Sequence, residues 1–230
     1  MKKPVFFILC LALAFTGFSQ SYFGFQLDMG NRKLIGITPG VIENPTTPEF
    51  YMSPSVRFRK LRSRTLSFEA GLGYTPLTQD IRLIYFSQGY SDKTLSIKLH
   101  YLTIPLALNY SIPFNNNSSL LFTGSMETLF LLSKSDNYQD IRLVNIGYRS
   151  MDRYSKVVFT PGLSTAYQTN MKNCGLVELG IYATMDMTRW IGEDELWDFH
   201  RYLYPSRSIR YGIRLKYFLN SKNFFQHEAN

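Results

Sequence analysis

The chain has 230 residues, 25 Lys and Arg against 17 Asp and Glu for a net charge of +8, and 18 Phe, 16 Tyr and 2 Trp at a slightly negative mean hydropathy. No segment beyond the first twenty residues approaches the ~20 consecutive apolar residues of a transmembrane helix, and the basic residues do not form the clustered stripe that nucleic-acid binding needs. Abundant aromatics without a long apolar run suit strands that expose alternate residues to lipid.

In chain order, MKKPVFFILCLALAFTGFSQ comes first. Lys2 and Lys3 precede an apolar stretch from Pro4 to about Phe18, followed by small or polar residues, which is the layout of a secretory signal peptide over 1–20. Lipid attachment at Cys10 is the alternative, and the bulky Leu9 before it argues against that. The mature chain then begins near Gln20 or Ser21 with Cys174 as its one thiol, so no intrachain disulfide can form. Its net charge is +6, from 23 basic and 17 acidic residues after Lys2 and Lys3 leave. About 210 residues make one domain, and an exported chain without disulfides needs a large core or a membrane to hold it.

Period-two alternation then recurs in eight segments: Tyr22 to Gly30, Tyr51 to Lys60, Thr65 to Tyr74, Leu99 to Tyr110, Leu120 to Leu132, Val157 to Gln168, Leu176 to Met187 and Ser208 to Leu219. In the first, Phe23, Phe25, Leu27 and Met29 oppose Gly24, Gln26 and Asp28; in the last, Ile209, Tyr211, Ile213, Leu215 and Tyr217 oppose Arg210, Gly212, Arg214 and Lys216. Connections alternate too. Long ones (Asn31 to Phe50, Thr75 to Lys98, Ser133 to Lys156, Thr188 to Arg207) separate short ones (Leu61 to Arg64, Ser111 to Ser119, Thr169 to Gly175). The pattern predicts an all-β fold, an eight-stranded antiparallel up-and-down transmembrane β-barrel over 21–220 with a C-terminal tail over 221–230. Both termini are then periplasmic, the long loops lie outside, and the cell outer membrane is the compartment.

A soluble lipocalin-like barrel has the same periodicity. Charge separates the two: here Gly, Ser, Thr and Ala accompany the charges on one face, as a narrow interior needs. Tyr74, Tyr110, Tyr167 and Tyr217 fall near strand ends among the apolar set, where an interfacial girdle wants them.

The segment YLTIPLALNY, Tyr101 to Tyr110, resembles the Tyr-Leu-x-Ile-Pro-Leu strand of the Bacteroidetes outer-membrane β-barrel family that includes PorT-like proteins. The signal ending in Ser-Gln, LSFEAGLGY at Leu66 to Tyr74 and YGIRLKY at Tyr211 to Tyr217 are similar as well. The resemblance implies a small outer-membrane barrel, some relatives of which assist secretion, and it implies no catalytic residues. It places Pro105 on the lumen side, where a bulge is expected because a closed barrel has no edge to tolerate a missing N–H.

Little in the chain points to chemistry. His100, His200 and His227 are too dispersed for a metal motif, and no Gly-rich phosphate loop occurs. His200 follows Asp198 in the fourth long loop, a pairing that any chain of this length offers. Trp190 and Trp197 flank Glu193, Asp194 and Glu195; carboxylates so grouped suit calcium, but solvated loop acids with tryptophans resting on a rim or partner are the preferred reading. No cofactor, metal or catalytic residue is expected. Gln79-Asp80-Ile81-Arg82-Leu83 recurs as Gln139-Asp140-Ile141-Arg142-Leu143, after the third and fifth strands. Asp80, Arg82, Asp140, Arg142, Trp190 and Trp197 are therefore the candidate external contact residues.

The inward set carries acids on the first, third, fifth and seventh strands (Asp28, Glu69, Glu127, Glu178, Asp186) and bases on the second and eighth (Arg57, Arg59, Arg210, Arg214, Lys216). Alternating strand directions put Arg57 and Arg59 beside Glu69, Glu178 near Arg214 and Lys216, and Arg210 near Asp28 and Asp186. The expectation is a lumen closed by charge pairs. The function expected is structural or interactive, as an accessory subunit of an envelope or secretion assembly, with membrane lipid and other envelope proteins as partners. A small pore and a lipid-modifying or proteolytic enzyme are the alternatives.

Overall fold

The computed structural model describes residues 21–35, 42–43, 49–63, 65–84, 92–136, 155–171, 175–187 and 207–220. Their strands are β1 (Ser21–Ile35), β2 (Ile42–Glu43), β3 (Glu49–Leu61), β4 (Leu66–Ile84), β5 (Asp92–Pro113), β6 (Ser118–Asp136), β7 (Val157–Met171), β8 (Gly175–Met185) and β9 (Arg207–Asn220). Every pairing is antiparallel, sequence neighbours lie side by side, and β1 pairs with β9. Eight strands thus close on themselves, and β2 sits outside the ring as a two-residue addition to β4. The proposed signal peptide and the C-terminal tail lie outside the described residues.

The period-two pattern sorts side chains as an inside-out protein would. Among the described residues, Gln26, Asp28, Arg57, Arg59, Glu69, Asn109, Glu127, Glu178, Arg210, Arg214 and Lys216 are buried, while Phe25, Phe50, Leu72, Leu163, Leu179, Ile181 and Ile213 are exposed. An exposed apolar belt this extensive has no place on a soluble monomer, and its occupant is lipid. Tyr110 bounds the belt at the short-turn end of β5, and His100 bounds it at the long-loop end, beside Tyr74. At ~3.4 Å per residue and a tilt near 40°, that stretch of β5 stands about 25 Å tall, the height of a membrane barrel's apolar band.

The interior is layered rather than uniformly polar. Leu77, Leu99, Tyr101, Leu129 and Val158 are buried toward the long-loop end, and Leu121, Leu176 and Phe218 toward the short turns. The charges lie between these layers. Inward glycines make the tight curvature possible: Gly30 faces Gly212 across β1 and β9. A Cβ on Gly212 would lie 2.1 Å from the Met29 carbonyl oxygen, so neither position accepts a side chain without moving the backbone.

Pro105 is buried on the lumen side, but the bulge expected there is absent. Instead the β4–β5 ladder keeps its register and skips a step, from Ala70↔Leu106 to Gly73↔Thr103. Pro105 keeps its β6 partner, Glu127, and its ring packs over Gly71, where a Cβ would come within 3.3 Å of it. A small residue opposite therefore substitutes for a bulge. The bulge lies further along the β5–β6 ladder, between His100↔Ser133 and Tyr101↔Leu131, leaving Leu132 as the extra residue.

A second discontinuity separates β3 from β4. Their ladder ends at Ser55↔Gly73, whereas β4 stays paired with β5 as far as Ile84↔Asp92. On β4 the odd residues turn their backbone groups toward β5, as Ser111 N–H donating to the Thr65 carbonyl at 2.7 Å marks. The even ones turn toward β3. Continuing the register opposes Pro54 to Tyr74 and Pro76 to Met52, so each proline withholds a donor at this seam. Side chains replace the missing donors: Ser53 Oγ donates to the Tyr74 carbonyl (3.1 Å) and Arg32 Nη1 to the Thr78 carbonyl (3.3 Å). Above the gap β2 restores pairing, with Glu43 opposite Arg82.

Candidate functional site

All ten residues expected in the lumen charge network are buried, with relative exposures of 1–5%. Three of their contacts follow from register alone, because the partners face each other on adjacent strands: Asp28↔Arg214, Arg59↔Glu69 and Glu178↔Lys216. Arg214 forks onto Asp28, with Nε to Oδ1 at 2.7 Å and Nη2 to Oδ2 at 2.8 Å. Arg59 Nε donates to Glu69 Oε1 at 2.8 Å, and its Nη2 reaches the same oxygen.

Other contacts cross the lumen. Arg59 Nη1 from β3 pairs with Glu178 on β8. Lys216 Nζ from β9 reaches Glu69 Oε2 on β4 at 2.7 Å and Glu178 Oε2 at 3.7 Å. These four side chains form a ring of two cations and two anions near the short-turn end. A second cluster lies above it, where Arg210 Nη2 meets Glu127 at 3.2 Å and Asp186 at 3.8 Å, and Arg214 Nη2 meets Glu127 at 3.6 Å.

Two expected pairings differ. Arg214 turns to Asp28 and Glu127 rather than Glu178, and Arg210 to Glu127 and Asp186 rather than Asp28. Counting heights along strands placed these partners about one step wrong, because the stagger of a closed barrel displaces neighbouring strands. Arg57, expected beside Glu69, donates from Nε to Ser55 Oγ at 3.1 Å.

Neutral groups add hydrogen bonds to several of the buried charges. Asn109 Nδ2 donates to Glu69 Oε1 at 2.8 Å, and Thr123 Oγ1 donates to Asn109 Oδ1 at 2.7 Å. Thr160 Oγ1 donates to Asp186 at 2.8 Å, the Ser208 hydroxyl donates to the same carboxylate, and Gln26 Nε2 donates to Asp28 at 2.9 Å. Guanidinium groups also lie over rings, Arg59 on Phe218 (4.2 Å) and Arg214 on Tyr182 (4.8 Å). The space bounded by Thr123, Ser164, Glu178, Arg214 and Lys216 has no room for a water molecule.

Sequence reasoning missed Asn109 and Arg32. Asn109 shares the alternation of Pro105 and faces the lumen, but it carries no charge to mark it as part of the network. Arg32 lies beyond Gly30, where the alternation of the first segment stops although β1 continues to Ile35.

Of the external candidates, Asp80 and Arg82 lie in β4, whose pairing with β5 carries a hairpin beyond the belt, into the stretch expected to be a long connection. Asp140, Arg142, Trp190 and Trp197 lie outside the described residues, as do His200 and the acidic run. Among the described residues no group of three or more His, Cys, Asp or Glu could hold a metal ion.

No protein-family model matches the chain, and no curated protein matches it. Solved structures that resemble it include Neisserial surface protein A, at 12% identity over 87% of this chain and 98% of that one, with a TM-score of 0.46. Ail, the attachment invasion locus protein of Yersinia pestis, matches at 7% identity over 88% of this chain and 99% of its own, with a TM-score of 0.40. Its complex with the heparin analogue sucrose octasulfate gives 7% over 86% and 97%, with a TM-score of 0.41. At such values the fold rests on the chain's own strand pairing: this is a closed eight-stranded antiparallel transmembrane β-barrel.

Proposed function

We propose that the protein is an outer-membrane barrel with a sealed lumen, serving as a structural or interaction component and as an accessory subunit of an envelope or secretion assembly. The observation that carries this reading is the lumen itself. Two charge clusters knit β1, β3, β4, β6, β8 and β9 together across the interior, and apolar layers close over them at both ends. A wall of this kind passes no solute, so recognition falls to the loops, the projecting β4–β5 hairpin and the outer surface. The short turns face the periplasm in this reading, with both termini beside them, and the resemblance of the Ile-Pro-Leu strand to the Bacteroidetes PorT-like family supports the secretion context. No catalytic, cofactor or metal role is proposed.

Two measurements test it. Planar-bilayer recordings on the purified protein should show no steady conductance; a stable open level would overturn the sealed lumen and favour a pore. Gentle detergent extraction from the native membrane should recover the barrel with one or more defined envelope proteins, and repeated recovery of the barrel alone would overturn the accessory role.

A further inference from the structure

The outer wall is not uniform. Between β5 and β8 it holds a concavity of about 580 Å³ lined by Leu66, Leu108, Tyr110, Phe122, Leu163 and Ile181, with Gly124, Thr165 and Ala183 along its floor. Gly124 is the reason for the depression. It points outward from β6 between Leu108 and Leu163 on the flanking strands, and a Cβ built there would meet nothing within 4 Å. Unlike the inward glycines, whose missing side chains make room for neighbouring backbone, this one leaves open space in the middle of the belt.

The shape has a length and a polarity. The pairs Leu108↔Gly124, Gly124↔Leu163 and Leu163↔Ala183 run obliquely from beside Tyr110, near the short turns, up toward Tyr211 on β9. From β5 to β8 they cover three strand spacings, about 14 Å. At the ~40° strand tilt this oblique run rises by about 9 Å, within the ~15 Å depth of one leaflet of a bilayer's hydrocarbon core. Leu66 lines the lower end, and its carbonyl accepts the N–H of Arg62 at 2.9 Å in the β3–β4 turn. Arg62 is exposed. An apolar trough about 14 Å long that begins near the exposed Arg62 of the β3–β4 turn matches an acyl chain joined to a phosphate.

We propose that this groove is a binding site for one anionic glycerophospholipid of the leaflet on the short-turn side, its acyl chain lying over Gly124 and its phosphate beside Arg62. The proposal rests on the membrane reading above and is independent of the loops and of the lumen.

The test uses the full mature chain, folded and purified in detergent with phosphatidylglycerol or phosphatidylcholine added, and native mass spectrometry of retained lipid. Wild type should keep one phosphatidylglycerol per barrel. Gly124→Leu starts from a Cβ that meets nothing within 4 Å, extends into the open space and displaces about two methylenes of contact, so it should lower retention of either lipid roughly tenfold. Arg62→Gln should erase the preference for phosphatidylglycerol and leave the phosphatidylcholine signal as it was. Ala183→Leu, on the same floor, serves as a second filling variant should the first fold poorly. Equal retention by wild type and both filling variants overturns the site. So does a wild-type dimer that Gly124→Leu converts to monomer, since the groove would then seat a second copy of the chain. A wild type that folds in water without detergent removes the membrane reading along with the site, whereas a detergent-requiring barrel that retains no lipid removes only the site.

Discussion

Asp28 and Arg214 face each other in register across β1 and β9, and the guanidinium of one grips both carboxylate oxygens of the other at 2.7 and 2.8 Å. These are the first and last strands of the barrel, so the fork lies on the seam that closes it. Replacing one partner leaves its opposite buried without its main counter-charge, which costs about 3–5 kcal/mol. Glu127 lies 3.6 Å from Arg214 and softens the loss. Asp28→Asn should therefore fall at the low end of that range in urea unfolding from lipid vesicles. The double variant Asp28→Asn with Arg214→Met should recover part of it. Equal losses for the single and the double would show that the fork does not hold the seam.

Glu69 should be more sensitive. It takes Arg59, Lys216 and Asn109 together, so Glu69→Gln disturbs three donors at once. The expected loss is about 3–5 kcal/mol in the same unfolding assay. A loss below about 1 kcal/mol would mean that water reaches this ring and that the lumen is wetter than its packing implies.

Hydrogen exchange should see the β3–β4 seam directly. Backbone amides of Phe50 and Met52, beyond the end of the ladder, should exchange faster than those of Val56 and Phe58, which lie inside it. Pro54→Thr with Pro76→Thr returns both missing donors and should slow exchange at Met52 and Tyr74, while Arg32→Ala should quicken it around Thr78. Uniform protection along β3 in the wild type would show that the discontinuity is closed in the membrane.

Gly212 offers a steric test without charge. Any Cβ there meets the Met29 carbonyl oxygen at 2.1 Å, so Gly212→Ala should destabilise the barrel by about 1–3 kcal/mol, the usual cost of overpacking. Gly124→Ala, which enters open space on the opposite face of the wall, should be close to neutral. Reversal of that order in thermal gel-shift assays would mean that the two glycines have been assigned to the wrong sides.

The two faces of each strand were legible because a barrel wall has only an inside and an outside, and a period of two reports both. Even Pro105, the odd residue of its strand, fell on its expected side. What the alternation could not convey was relative height. Arg214 pairs with Asp28 rather than Glu178 because strand stagger is set by the closure of the whole sheet, and no single strand records it. Strand ends were equally hidden: β4 and β5 run on to Ile84 and from Asp92, since pairing between two long hairpin arms persists where lipid no longer dictates the pattern. Arg32 was lost for that reason. The groove at Gly124 was hidden differently, as a glycine in an apolar row reads as a weak strand position until its neighbours on three strands are known.

The bulge at Leu132 makes one stretch of this protein unusually dependent on residue count. Below it, Leu131 lies opposite Tyr101; above it, Lys134 lies opposite Leu99, so both face the same side as the buried residues of β5 although three positions, an odd number, separate them. Deleting Leu132 would remove the extra residue and leave Ser133 opposite His100 and Lys134 opposite Leu99, so every later residue would keep its face. Deleting a paired residue such as Phe130 would instead shift the strand by one and turn its neighbours over. Leu132 is thus the one position in this stretch of β6 whose loss the ladder can absorb by straightening.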